Sequence, residues 1–235
     1  MSHEPYFLRQ TSAALAGFGI ANFLSRTSRA EARKLLVYLH VAMKQRAFQG
    51  ELQASLPSAA VTAVGRLADF ERGLRDGTDA VLSLPVLLAA RGFSVRLQGR
   101  RQGVPHETYS LVGADTPPDP NRVRVVGALD LLGRDGTTAF VHRLVGASPK
   151  VERVTKLEDL LPLLQMRRAE AVLIPTRLIA DLRSASRLNL VQRGLATPVG
   201  LPALAVTGPG GADVMAAVSA LPGKLCRMIG VDAWR

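Results

Sequence analysis

From Leu35 onward the chain alternates short apolar runs with stretches whose apolar positions recur every three or four residues. The run Leu35-Leu-Val-Tyr-Leu-His-Val41 is partly β-branched and flanked by charge, which predicts a buried strand. Between Met43 and Leu56, the positions Met43, Ala47, Phe48 and Leu52 share one face of a helix, and Pro57 stops it. Val61–Val64 predicts a second strand. Leu67, Phe70 and Leu74 mark a second helix, closed by Asp76-Gly77. Asp79–Ser83 predicts a third strand that runs through Pro85 into a helix ended by Arg91-Gly92. Three strand–helix units in succession imply a parallel sheet with right-handed crossovers.

The pattern then changes. Val95–Gln98 and Tyr109–Val112 alternate as half-exposed strands do, joined by the glycine-punctuated segment Gly99–Gly103. Asp115–Pro120 is a proline-rich surface loop. A second α/β set follows: a strand over Val123–Gly127, a helix from Thr137 to Val145, and a strand over Val151–Val154. A helix over Leu157–Met166 and a strand over Ala171–Ile174 complete it. Thr155-x-x-Glu158 ahead of Leu160-Leu161 suits a capping box, with Pro162 in the first turn. Leu188–Val191 precedes a Gly/Pro-rich connector over Gly194–Pro202. Ala203–Val206 is a further strand, and helical segments over Ala212–Leu221 and Lys224–Ile229 close the chain. The expected architecture is α/β with two lobes, the second inserted into a discontinuous first. Residues 31–103 and 200–235 form lobe 1, and residues 104–199 form lobe 2 with its hinge segments.

Composition narrows the chemistry. With 235 residues, 47% hydrophobic and 21% charged, the chain can bury a substantial core and is not of disordered type. One cysteine precludes an internal disulfide or a cysteine-rich zinc site, and four scattered histidines leave no metal-ligand spacing. No metal and no cofactor are expected, and neither a dinucleotide nor a P-loop fingerprint occurs. The net charge of +11 points to an anionic partner or to an arginine-heavy surface. One tryptophan, three tyrosines and seven phenylalanines, with no aromatic–basic alternation, speak against nucleic acid. At the N-terminus, Arg9 precedes the uncharged apolar stretch Thr11–Leu24, and Ser28-Arg29-Ala30 puts small residues before Glu31. Residues 1–30 therefore read as a signal peptide, and the expected location is periplasmic or otherwise exported.

Four stretches carry a resemblance. They are Val64–Phe70; Gly77-Thr-Asp-Ala-Val-Leu-Ser83; Gly127–Phe140 with Gly133-Arg-Asp-Gly-Thr-Thr-Ala-Phe140; and Glu170–Thr176 together with Gly200–Val206. In order and spacing the chain from residue 33 to 235 resembles type 2 periplasmic solute-binding proteins, especially the phosphate/phosphonate-binding group of ABC transporters. The resemblance implies two lobes hinged near residues 98–107 and 192–202, a small anionic solute such as phosphate or phosphonate, and an ABC transporter membrane component as partner. It further implies a monomeric, non-enzymatic protein.

Oxyanion capture needs several N–H or O–H donors converging on one point. Gly136, Thr137 and Thr138 are expected at a helix N-terminus, with Arg134 adding charge. Thr137 as a plain N-cap is the alternative. Ser83 and Pro175-Thr176 fall where parallel strands end, the edge at which open α/β sheets place ligands. Lys44 and Gln45 follow the first strand. Arg91, Arg96, Arg100 and Arg101 read as a charged edge ribbon. His40, His106 and His142 read as structural or exposed, and Cys226 as buried packing. Two rival functions stay open: an enzyme on the same scaffold using Asp130 with His142, and a cytosolic ligand-sensing or nucleic-acid-associated module.

Overall fold

A computed structural model of the chain describes residues 32–41 and 43–235. The signal peptide expected over residues 1–30 lies outside the described residues. The first strand, β1 (Arg33–Tyr38), is buried on both faces because its residues alternate between two packing layers. Leu35 and Val37 point toward Phe48 and Leu52 of α1 (Gln45–Ser55), whose two phenylalanine-and-leucine turns sit one above the other. Leu36 and Tyr38 point the other way, into a cluster with Phe70, Leu87 and Leu88. Phe70 belongs to α2 (Leu67–Arg75), which follows β2 (Ala59–Val64); the two leucines belong to α3 (Pro85–Ala90), which follows β3 (Ala80–Ser83). β1 pairs in parallel with both β2 and β3, Leu35 lying level with Val61 on one side and Ala80 on the other. Pro85 starts α3 at a position whose N–H has no helical partner in any case.

The chain leaves this sheet through β4 (Val95–Arg100), which continues two residues past the expected end, and then makes β5 (His106–Glu107). A second sheet contains β6 (Tyr109–Ala114), β7 (Val125–Leu129), β8 (Lys150–Val154), β9 (Ala171–Pro175) and β10 (Leu190–Gly194). Its order is β10-β6-β9-β7-β8, with β7 parallel to β8 and β9. Its helices are α4 (Gly133–Val145), α5 (Leu160–Gln165) and α6 (Ile179–Ser184). In α5, Leu160, Leu161, Leu163 and Leu164 are all buried, so this short helix is held by packing rather than by its length. The expected capping box does not form: Thr155 and Glu158 make no capping hydrogen bond, and a 3-10 turn over Leu157–Asp159 leads into α5 instead.

The return path is β11 (Val199–Gly200), antiparallel to β5 in a two-stranded ribbon, then β12 (Ala203–Val206), α7 (Gly211–Ser219), α8 (Gly223–Met228) and β13 (Ala233–Trp234). β12 inserts antiparallel between β3 and β4, and β13 covers the outer edge of β4. The first sheet is therefore completed by chain that has already passed through the second, as a discontinuous first lobe requires. No helix among the described residues is long and apolar enough to cross a membrane.

Candidate functional site

The parallel strands of both sheets bring their C-terminal ends to a common seam, where α/β folds collect ligand-contacting residues. From the first sheet come Tyr38 at the end of β1, His40 just beyond it and Ser83 at the end of β3; from the second come Leu129 at the end of β7, Pro175 at the end of β9 and Arg177 two residues further on. Glu107, on the connecting ribbon, enters from the side. These side chains enclose a cavity of about 30 Å³, room for a water-sized group. Its walls are mostly apolar, with Leu84, Leu129, Leu131 and Leu173 among them.

The polar groups in this cavity are poorly satisfied. Glu107 and Arg177 form an ion pair, Oε2 to Nε at 3.0 Å, with side chains only 7% and 11% exposed. Neither atom completes a hydrogen bond, so their attraction is Coulombic and misaligned. Both ring nitrogens of His40 are likewise buried without a partner. Burial lowers the His40 pKa to about 4, the Arg177 charge acting in the same direction and the Asp130 charge opposing it. Burial raises the Glu107 carboxyl above its ordinary range, with Arg177 and Arg101 pulling it back. Tyr109, edge-on to Phe140 at 5.7 Å, is also pushed up by burial. In native proteins most buried polar atoms have a partner, and four orphans on one small cavity are unusual.

Leu39 and His40 also line a groove of about 670 Å³ that opens between α1 and the second sheet's loops. Three cations (Lys44, Arg66, Lys156) and three carboxylates (Asp69, Glu158, Asp181) lie along it. Arg177 in turn borders a second groove of about 500 Å³, with Arg101, Arg227, Asp181 and Asp232 on its walls.

A hydrogen bond ties the first sheet to the turn after β7: the Tyr38 hydroxyl donates to the Asp130 carbonyl oxygen at 2.7 Å. Asp130 is itself fixed. Its carboxylate accepts from Thr137 Oγ1 at 3.0 Å and pairs with Arg153 at 2.7 Å. Phe70 stacks on the Tyr38 ring at 5.3 Å, and burial raises the Tyr38 pKa.

The residues expected to bind fall into several places. Ser83 lies on the cavity wall, but its hydroxyl donates to the Tyr38 carbonyl at 2.8 Å. Lys44 is exposed at the start of α1 and borders the large groove beside Gln45. Thr176 is half-buried, and its hydroxyl bonds Ser110 at 2.8 Å and Thr108 at 3.2 Å. Gly136, Thr137 and Thr138 are not at a helix N-terminus, because α4 begins at Gly133, four residues earlier than expected. Gly133 adopts φ +78°, a conformation glycine tolerates, and so starts the helix where a bulkier residue would be strained. Thr137 is not the N-cap either: from inside the helix it accepts the Leu132 N–H at 3.0 Å. Thr138 donates to the Arg134 carbonyl, and Arg134 is exposed away from the cavity walls.

The Asp130–His142 pair imagined for an enzyme is not brought together. His142 sits in the last turn of α4, its Nε2 3.0 Å from the Pro149 carbonyl, and Asp130 precedes the first turn. Among the described residues no cluster of three metal-ligating side chains occurs. Cys226 is buried, as expected. The groups that converge, Tyr38, His40, Glu107 and Arg177, form no recognisable motif in the sequence. The signal the sequence offers is position: His40 stands two residues past the end of the first strand, and Arg177 two residues past the end of β9.

No protein-family model matches the sequence, and no curated protein matches it. Solved structures do. The Bordetella pertussis BvgS VFT2 domain superposes with a TM-score of 0.56 at 18% identity, over 84% of this chain and 91% of that one. The GluR0 ligand-binding core of Nostoc punctiforme, in complex with L-glutamate, gives 0.54 at 10% identity over 79% and 91%. A periplasmic His/Glu/Gln/Arg/opine family-binding protein of Silicibacter pomeroyi, in complex with lysine, gives 0.53 at 13% over 85% and 98%. The fold is thus the bilobal, type 2 periplasmic-binding-protein architecture. These likenesses carry that fold and do not single out the phosphate/phosphonate group.

Proposed function

We propose that the chain is a solute-binding domain that captures a small polar molecule between its lobes and acts by binding rather than by catalysis. The observation that carries this is the convergence of unsatisfied His40, Glu107 and Arg177 on a cavity that adjoins the 670 Å³ groove. A groove of that size suits a small ligand, and pockets with a few converging polar groups are the usual binding sites. The equal number of cations and carboxylates lining it, three of each, favours a zwitterion over a bare oxyanion, because carboxylates repel phosphate. Glutamate and lysine are bound by two of the structural neighbours, and an α-amino acid fits that charge pattern. The β5–β11 ribbon is the natural hinge, since it connects the two sheets with few residues. In this reading the protein is exported and monomeric, and hands its solute to an ABC-type membrane component, as the sequence resemblance implies.

Calorimetric titration tests the reading with L-glutamate, L-lysine and L-arginine in one arm and phosphate, phosphite and an alkylphosphonate in the other. Saturable heat in the amino-acid arm is expected. Heat only in the oxyanion arm would restore the phosphate/phosphonate assignment, and none in either arm would remove the solute-binding function.

A further inference from the structure

We propose that Arg177 is the anion-recognition residue of the cleft and that Glu107 is its built-in occupant, which a solute oxyanion must displace. The proposal rests on the solute-binding reading and adds to it a residue and a competition.

Three observations place Arg177 in this role. Arg177 lines both the interlobe cavity and the open 500 Å³ groove, so its side chain, 11% exposed, links the two. It packs against Gly230: a Cβ at that position would come within 2.5 Å of Nε and 2.9 Å of Cζ. Gly230 comes from the returning C-terminal segment of the first lobe and Arg177 from the second, so the guanidinium is set by a contact across the seam. Finally, its only ion-pair partner among the described residues is Glu107, and that contact leaves Nε without a completed hydrogen bond.

A buried guanidinium that served structure alone would be expected in a bidentate, fully hydrogen-bonded pair. Here a carboxylate sits at 3.0 Å in poor alignment, a contact that neutralises charge without saturating the donors. A carboxylate or phosphate oxygen free to orient would align better, and His40 offers a neighbouring ring nitrogen with no other partner. Glu107 stands on the short β5–β11 ribbon, so opening at that ribbon shifts Glu107 relative to Arg177.

The proposal predicts opposite effects for the two partners. Glu107→Gln removes the internal competitor and should tighten binding about tenfold, the size of a typical coupling between charged neighbours. Arg177→Met should weaken binding at least about thirtyfold. Glutarate, inorganic phosphate and L-glutamate are the probes, so that carboxylate and phosphate sources of the same chemistry are separated. Glu107→Gln leaves a buried charge uncompensated and should lower the unfolding midpoint without solute, with a larger recovery on adding probe than the wild type shows. Glu107→Asp, which keeps the charge on a shorter arm, is a folding-safe second variant and should fall between. Tighter binding by E107Q, or binding by E107Q alone, supports the proposal. Wild-type binding that E107Q leaves unchanged or weakens overturns it, leaving Glu107–Arg177 as a structural pair and the solute-binding reading intact. No binding by wild type or either Glu107 variant overturns both.

Discussion

Tyr38 and His40 stand two residues apart where β1 ends, their rings edge-on at 5.6 Å, and the two make different demands on the seam. Tyr38 gives a hydrogen bond across it. Tyr38→Phe keeps the ring stacked on Phe70 and removes only the donor to Asp130, so a loss of about 1 kcal/mol in urea unfolding is expected. His40 takes stability away when protonated. Its pKa is lowered in the folded state, so between about pH 6.5 and about pH 4 the unfolded chain binds more protons. Stability from this group is therefore full above that window and falls as pH drops through it, by on the order of 3 kcal/mol. Glu107, with its raised pKa, acts with the opposite sign, so the test compares wild type with His40→Phe. Chemical unfolding at pH 7.5 and pH 5 should show a smaller pH dependence in the variant; an equal dependence would place the titration elsewhere.

At the scale of elements, the strands were legible because their apolar runs are short and bounded by Gly, Pro and charge. β3 and β12 match their expected spans closely, and α3 begins at the proline that announced it. α4 was misplaced because Gly133-Arg-Asp-Gly carries little apolar periodicity and two glycines look like a loop. What extends the helix is an internal bond, Leu132 N–H to Thr137 Oγ1, that no spacing rule announces. Ser83 and Thr176 do lie at strand ends while Thr137 and Thr138 lie inside α4, and the hydroxyls of all four are engaged by the chain itself. The unsatisfied groups on the cavity, His40, Glu107 and Arg177, are far apart in sequence and meet only through the packing of the two sheets. Thr137→Val tests the revised role of that residue. It should cost about 1–3 kcal/mol in thermal or urea unfolding, as expected for orphaning the Leu132 N–H and one Asp130 oxygen. A stable variant with weakened solute binding would instead return Thr137 to the binding site.

At the scale of the whole molecule, buried apolar side chains run without a break from the first sheet through Leu84, Tyr109 and Leu129 into the second. The lobes are thus held together by apolar burial as well as by the Tyr38–Asp130 contact, and opening must expose part of that surface. Gly230 bears on the same seam. At φ +88° and against Arg177, an alanine there would be strained twice, and Gly230→Ala should destabilise by about 1–3 kcal/mol in thermal unfolding. The central claim, that a small solute is held between two sheets, is tested most directly by hydrogen–deuterium exchange with and without saturating L-glutamate. The account predicts added protection in both lobes at once, over residues 36–45 and 81–88 in the first and 129–137 and 173–182 in the second. Protection confined to one lobe, or an unchanged pattern under conditions where glutamate is shown to bind, would contradict it.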